Sequence, residues 1–89
     1  MAIYRNPFHE AGKPHYGPAQ YETDATPTPY RGMLIYRRMS VCWDVVKDDT
    51  CIGQYAGMSG AKGLIDTILD TPDDWWAKRA LSWLKMQEA

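Results

Sequence analysis

Prolines are concentrated in the first third of this chain and limit what that part can form. Five of the six prolines lie within residues 1–29, and each one disfavours helical backbone at the residue before it. Proline also lacks the N–H group that a helix interior needs. We detect neither the period of a strand nor that of a helix in this segment. We therefore expect residues 1–29 to form an irregular arm, rich in proline and tyrosine, that wraps the body of the protein.

Beyond the arm, short runs rich in β-branched and aromatic residues predict strands. The runs are residues 33–38, 41–46 and 51–56. Short polar links between them predict an antiparallel meander, with Asp48 and Asp49 as one turn and Val46 opposite Cys51. The link after Met39 lacks the glycine or asparagine that tight hairpins prefer, so we expect a longer loop or a register shift there.

Alternation along the strands assigns the side chains of the meander to two faces. It places Tyr36 and Val45 together on one face. Ile35, Arg37 and Asp44 share the other, more polar face, on which Arg37 and Asp44 are expected to be neighbours.

Two helices are predicted to follow the strands. Ser59 is a suitable cap for the first, and Thr71 with Pro72 marks the start of the second. The predicted fold is therefore α+β, with a three-stranded antiparallel β-meander packed by two C-terminal helices. Residues 30–89 form the compact part and residues 1–29 the arm, within a single domain, since 89 residues are enough for only one.

The second helix carries three of the four tryptophans, and the helical period divides them. At about 100° per residue, Trp76 and Trp83 fall in the arc expected to face the core. Trp75, Arg79 and Met86 fall on the outward side. Because Trp75 and Arg79 are four residues apart, we expect the guanidinium to stack on the indole.

Several interpretations of the outward residues stay open. They are ordinary surface residues, since apolar atoms form much of any protein surface. Or they pack against the N-terminal arm and cover it. Alternatively, they bind a partner, because Trp and Arg are enriched in binding hot spots. The predicted partner-binding residues are Trp75, Arg79, Met86, Tyr16 and Tyr21. The same tryptophans also fit a homodimer that pairs across a two-fold axis.

The charge balance bears on nucleic-acid binding. Ten basic and eleven acidic residues give a formal net charge of −1, which argues against a general nucleic-acid-binding protein. A local patch is an alternative, in which basic residues of the sheet contact nucleic acid beside an aromatic stacking platform. Its residues are Arg31, Arg37, Arg38, Lys47 and Tyr55.

Residues able to bind a metal or act as nucleophiles are scattered. The candidates are His9, Glu10, His15, Cys42 and Cys51. No pair has the short spacing of a metal site, and a glycine-rich turn at residues 57–63 lacks the Gly-Lys-Ser/Thr ending of a P-loop. We expect a protein without enzymatic activity, cofactor or metal, whose cysteines are reduced thiols.

The chain has no feature of a membrane or secreted protein. No apolar run approaches the length of a membrane span, and the N-terminal residues lack the apolar region of a signal peptide. We expect a soluble, cytoplasmic protein with no membrane partner.

Three short stretches resemble part of a known class of proteins. They are Tyr30-Arg31-Gly32 with Ile35, Trp43-Asp44-Val45 with Lys47-Asp48, and Ala61-Lys62 with Ile65-Asp66. Together they resemble small strand–strand–helix accessory proteins commonly encoded by bacteriophages and prophages. The resemblance implies a phage protein that binds a bacterial protein or ribonucleoprotein complex in the host cytoplasm. It also implies inhibition of host machinery, including CRISPR surveillance complexes, and so an anti-CRISPR role in evading host defence.

Overall fold

A computed structural model describes residues 1–10 and 17–85. Its elements are β1 (Ala2–Arg5), α1 (Pro7–Glu10), β2 (Gln20–Thr23), β3 (Thr28–Tyr30), β4 (Met33–Met39), β5 (Cys42–Lys47), β6 (Thr50–Tyr55), α2 (Met58–Asp70) and α3 (Trp75–Lys85). The strands form one six-stranded sheet in the order β2-β1-β6-β5-β4-β3. The sheet is mixed, because β1 pairs with β6 in parallel and the other neighbours are antiparallel.

The prediction of a three-stranded sheet with an irregular arm is wrong. Strands β4, β5 and β6 do form an antiparallel meander, but β1, β2 and β3 extend it on both sides. The period of two is present in β2, where Tyr21 and Thr23 are buried between exposed Gln20 and Glu22. Pro29 is accommodated because β3 is an edge strand, where a missing N–H breaks no ladder bond on the outer side. The proline-rich segment therefore contributes three short strands to the sheet, and β1 pairs with β6, which lies far along the chain.

Two hairpins of the sheet turn through residues in the left-handed region. Arg31 and Gly32 have φ angles of 49° and 91°, and Asp48 and Asp49 have φ angles of 50° and 57°. Positive φ at both central residues is the signature of the type I′ turn, which matches the twist of paired strands. The Asp48–Asp49 turn is confirmed, as is the pairing of Val46 with Cys51 across it.

Two irregularities interrupt the regular pairing of the meander. Between β5 and β6, Val45 pairs with Gly53 and Val46 with Cys51, so Ile52 is an extra residue on β6. Such a bulge turns two successive residues toward one side. The register shift expected near Met39 is also confirmed, since pairing between β4 and β5 slips just before that residue.

The helices α2 and α3 cover one face of the sheet and form the main core with it. The buried members are Met33, Ile35, Val45, Ile52, Ala61, Leu64, Ile65, Ile68, Ala77 and Ala80. The predicted division of faces is wrong for β4. Ile35 pairs with Val45 under the helices, while Tyr36 pairs with Asp44 on the opposite face.

Both long helices begin at other residues than predicted. The cap of α2 is Gly57, with no side-chain hydrogen bond, and not Ser59. In α3 the Trp76 N–H donates to Asp74 Oδ1 at 2.9 Å, so Asp74 takes the capping role expected of Thr71. No helix within the described ranges is long and apolar enough to cross a lipid bilayer.

The other face of the sheet is concave. Strands β2 and β4 have Cα atoms within 8 Å of each other, although three strands lie between them in the sheet. A flat sheet with strands about 4.8 Å apart would separate them by roughly 19 Å. The sheet must therefore curl, and its concave side encloses a second cluster of buried residues. This cluster contains Tyr4, Tyr21, Tyr36, Val46 and Cys51.

A buried carboxylate lies within the concave cluster. Asp44 is 0% exposed. Its Oδ2 accepts hydrogen bonds from the Tyr4 hydroxyl at 2.5 Å and from Arg38 Nε at 2.6 Å. Burial and the bond to Asp44 raise the pKa of Tyr4, so its phenol stays protonated. Because Tyr4 lies on β1 while Asp44 and Arg38 lie on the meander, this interaction ties the N-terminal strand to the rest of the sheet.

A second set of polar bonds positions α1. The Asn6 N–H donates to the Ala19 carbonyl at 2.8 Å, and Asn6 Nδ2 donates to the Pro18 carbonyl at 2.7 Å. Asn6 Oδ1 in turn accepts from the Phe8 N–H at 3.2 Å. The chain is thereby held as it leaves β1, and Phe8 reaches α3, where its ring lies 4.7 Å from that of Trp83.

We expect Asp44→Asn to lower the free energy of unfolding by about 3 kcal/mol, because it leaves the largely buried Arg38 cation without its counter-charge. Urea denaturation measures this loss. Asp48→Asn is the matched control, since asparagine tolerates the left-handed conformation of that turn, and it should change stability by less than about 0.5 kcal/mol. Equal losses in the two variants would contradict the role given to Asp44.

Candidate functional site

Two adjacent tryptophans stand exposed at the start of α3. Trp75 is 60% and Trp76 is 59% exposed, and their rings meet edge to face with centroids 4.7 Å apart. The prediction that Trp76 faces the core is wrong. The buried stripe of α3 is formed by Ala77 and Ala80. The helix begins at Trp75, so both rings lie in its first turn, with Trp76 at the edge of the buried side and Trp75 on the outward side.

Arg79 lies between two indoles on the same helix. Its guanidinium carbon is 5.5 Å from the ring centroid of Trp75 and 5.8 Å from that of Trp83. The contact with Trp75 is the one that the four-residue spacing predicts. Among the described residues, no carboxylate lies within ion-pair distance of Arg79. The site therefore holds a cation that is supported by aromatic rings and open to an anionic group.

A groove opens beside these side chains where α3 meets β6 and α1. Its volume is about 240 Å³, and its wall includes Phe8, Tyr55, Trp76, Arg79 and Trp83. Four of the ten described residues that line it are aromatic, and Arg79 is the one charged side chain among them. A wall of this composition suits an apolar group that carries a negative charge.

A second hollow of about 350 Å³ adjoins the first. The two share Tyr55, Leu64 and Trp76, and the second is bounded further by Gly60 and Gly63 of α2. Burial raises the pKa of Tyr55, so its phenol is a neutral polar group at the boundary of the two hollows. Together with Trp75 and Arg79, the two hollows make up what we call the aromatic face.

Close packing beneath the groove depends on a residue without a side chain. A Cβ atom at Gly53 would lie 2.6 Å from Leu64 Cδ2 and 3.2 Å from Tyr55 Cε2. The bulge at Ile52 turns Gly53 toward the helices. A glycine there lets α2 approach β6, and this approach forms the floor of the groove.

The predicted partner-binding residues are only partly brought together. Trp75 and Arg79 are neighbours on the aromatic face. Tyr21 is buried in the concave cluster, where the Arg38 guanidinium lies 3.8 Å from its ring centroid. Met86 and Tyr16 lie outside the described residues. The sequence prediction missed Trp76 and the groove. The available signal for Trp76 was its position near the edge of the predicted arc.

Two basic residues of the nucleic-acid alternative are already engaged within the protein. Arg31 donates to Asp66 and to both carboxylate oxygens of Asp70, and its bond holds the pKa of Asp70 below the usual value. Arg38 pairs with buried Asp44. Both cations would have to exchange these carboxylates for phosphates in order to bind nucleic acid.

The other three residues predicted to contact nucleic acid lie in different parts of the molecule. The Arg37 guanidinium lies 5.2 Å from the ring of Trp43, on the face that the helices cover. Lys47 is the last residue of β5, and Tyr55 lines the groove under α3. The five residues therefore do not form one continuous basic surface.

The thiols of this protein are not activated nucleophiles. Both cysteines are free. Burial, with the nearby Asp44 carboxylate, raises the pKa of Cys42 to about 11, and burial raises the pKa of Cys51 well above its ordinary value. A raised pKa keeps a thiol protonated and slow to react. No three His, Cys, Asp or Glu side chains within the described residues are placed to hold a metal ion.

Comparison with protein-family models, with curated proteins and with solved structures found no match. The function is therefore inferred from the chemistry of the aromatic face. That face combines exposed apolar area, a concave wall and one accessible cation, the elements by which proteins recognise a partner.

We expect the tryptophans of α3 to differ in their effect on stability. Trp75→Ala and Trp76→Ala should each change the free energy of unfolding by less than about 1 kcal/mol, because both rings are mainly exposed. Trp83→Ala should cost about 2–3 kcal/mol, since it removes the partner of Phe8 at the edge of the core. Denaturant unfolding measures the free energy of unfolding of the three variants. A decrease for Trp76→Ala as large as that for Trp83→Ala would contradict the prediction.

We expect Cys42 to react slowly with iodoacetamide. A pKa of about 11 leaves on the order of 0.1% thiolate near pH 8, against about 24% for an unperturbed thiol. The stronger nucleophile formed at higher pKa offsets part of this difference, so labelling should be about tenfold slower than in urea. The rate should rise with pH until about 11. Mass spectrometry of the labelled peptides measures it, and equal rates in folded and unfolded protein would contradict the raised pKa.

Proposed function

We propose that this protein is a non-enzymatic binding protein that captures a macromolecular partner through the aromatic face. The observation that carries the proposal is the exposure of Trp75 and Trp76, 60% and 59%, beside Arg79. Adjacent exposed tryptophans are unfavourable in water unless a partner covers them. Tryptophan and arginine are also the residue types most enriched among binding hot spots.

The size of the exposed surface indicates how much of the face a partner must cover. The two rings, 60% and 59% exposed, leave roughly 300 Å² uncovered, since a tryptophan buries up to about 250 Å² in all. Covering this area is worth about 7 kcal/mol at about 25 cal/mol per Å². Association itself costs about 4–15 kcal/mol, so the two rings alone do not give a stable complex. The partner must also fill the neighbouring groove.

The chemistry of the rest of the chain supports binding over catalysis. Cys42 and Cys51 are held protonated. The buried Asp44 carboxylate is occupied by Tyr4 and Arg38 on the concave side, away from the groove. These groups stabilise the sheet, whereas Trp75, Trp76 and Arg79 of the aromatic face are exposed and are expected to add little to stability.

The identity of the partner is a separate prediction. The resemblance to phage and prophage accessory proteins predicts a bacterial protein or ribonucleoprotein complex, in the host cytoplasm, as the target of inhibition. Anti-CRISPR activity follows from that resemblance alone and stays a prediction. A homodimer formed through the exposed tryptophans also stays a prediction, and sedimentation at several concentrations measures it.

We expect Trp75→Ala combined with Arg79→Ala to abolish capture of a partner from bacterial lysate by the tagged protein. Truncation of hot-spot residues costs at least about 2 kcal/mol each, which weakens binding about 30-fold or more per residue. Quantitative mass spectrometry of the retained proteins measures the loss. The melting temperature should stay within about 2 °C of the parent value.

The control removes exposed apolar surface elsewhere. Met39 and Val41 are 54% and 69% exposed at the hairpin between β4 and β5. The Met39→Ala/Val41→Ala variant should retain every protein that the parent captures. Capture that survives in the Trp75→Ala/Arg79→Ala variant would contradict the proposed function.

A further inference from the structure

A glycine in the middle of α2 is not required by the fold. Apart from its two chain neighbours and the backbone of its own helix, a Cβ atom built at Gly63 meets no atom within 4 Å, and its φ lies outside the left-handed region. At Gly60, by contrast, a Cβ atom would lie 3.0–3.2 Å from Tyr55, so that glycine serves close packing. Glycine is among the least favourable residues for a helix interior. Gly63 therefore weakens α2 with no return in packing.

The position of Gly63 gives it a different role. It is exposed and lines the second hollow of the aromatic face, together with Tyr55 and Trp76. Gly63 lines that hollow, and a Cβ atom built there meets open space, so a larger side chain at this position has room to extend over the hollow. A glycine leaves the hollow unobstructed, as the entry of a ligand group would require.

The first hollow favours a ligand group that carries a negative charge. Arg79 is the one charged side chain among the described residues of its wall. The indoles of Trp75 and Trp83 hold its guanidinium at 5.5 and 5.8 Å, which limits its motion. A carboxylate beside it would form a charge-assisted hydrogen bond in a largely apolar site, where such bonds are strong.

We propose that the aromatic face binds a peptide segment of the partner that carries an acidic residue and a bulky apolar residue. The acidic side chain pairs with Arg79 in the first hollow, and the apolar side chain enters the second hollow beside Gly63. Trp76 lies between them, shared by both hollows. This inference rests on the proposed function and names the chemistry of the partner at the same surface. A nucleic-acid backbone fits the face less well, because it requires several clustered cations.

A displayed library of random linear peptides, panned against the full-length protein, tests this recognition. Enriched peptides should combine Asp or Glu with a nearby bulky apolar residue. Synthetic copies are then titrated while the tryptophan fluorescence is followed. Gly63→Leu, which fills the second hollow, should weaken binding about tenfold or more. Gly63→Ala should raise the melting temperature and weaken binding less, which keeps the test valid even if Gly63→Leu does not fold.

A reversal of charge tests the pairing with Arg79. The Arg79→Glu variant should lose the acidic peptides and prefer copies in which lysine replaces the acidic residue. Failure of any peptide to enrich, enrichment of peptides without acidic residues, or affinities unchanged by both Gly63 substitutions would each overturn the proposal.

Lysate capture by the two sets of variants distinguishes a failure of the peptide site from a failure of the proposed function. Lysate capture that is lost in the Trp75→Ala/Arg79→Ala variant but kept in Gly63→Leu would overturn the proposed peptide site. It would still support binding of a partner through the aromatic face. Capture kept in both variants would remove the proposed function itself. A change in sedimentation on Gly63→Leu, without peptide binding, would assign the hollow to a second copy of the chain and also overturn the peptide site.

Discussion

The structure depends most on the buried carboxylate of Asp44, which joins the N-terminal strand to the meander. A carboxylate that is 0% exposed is tolerated only with a counter-charge and hydrogen bonds, and Arg38 and Tyr4 provide them. With β1 fixed in this way, the chain enters α1 at a defined point. Phe8 then reaches Trp83 at 4.7 Å and completes one wall of the groove. The concave cluster and the aromatic face lie on opposite sides of the sheet. The aromatic face nevertheless depends on the concave cluster, because the cluster fixes β1 and thereby the position of Phe8.

The composition of α3 explains why its large side chains are left in water. The buried stripe consists of small residues, Ala77 and Ala80, which bring the helix close to the sheet but bury little area. Trp76 lies at the edge of that stripe and Trp75 on the outward side, and both remain mainly exposed. A helix designed only for stability would place its tryptophans inward, where each would contribute several kcal/mol. The arrangement leaves unused part of the stability that burial of these rings would add.

The sequence predicts local features of this fold better than distant ones. The meander, the turn at Asp48 and the stacking of Arg79 on Trp75 depend on residues close in the chain, and the structure contains all three. Strand β1 was missed because it has four residues and pairs with β2 and β6 across long separations. The exposure of Trp76 was missed because its ring lies near the edge of the predicted arc and in the first turn of α3. Angular position alone does not show how far the core extends toward that end of the helix.

The proline-rich N-terminal segment is an integral part of the sheet and supports the aromatic face. In β1 the Arg5 N–H donates to the Asp49 carbonyl at 2.8 Å, across the boundary between this segment and the meander. Native-state hydrogen exchange of that amide is the most direct measurement. If β1 belongs to the sheet, Arg5 should exchange with a free energy of opening close to that of the amides of β5, which is flanked on both sides. Exchange of Arg5 at the rate of a fraying terminus, while β5 stays protected, would contradict the account.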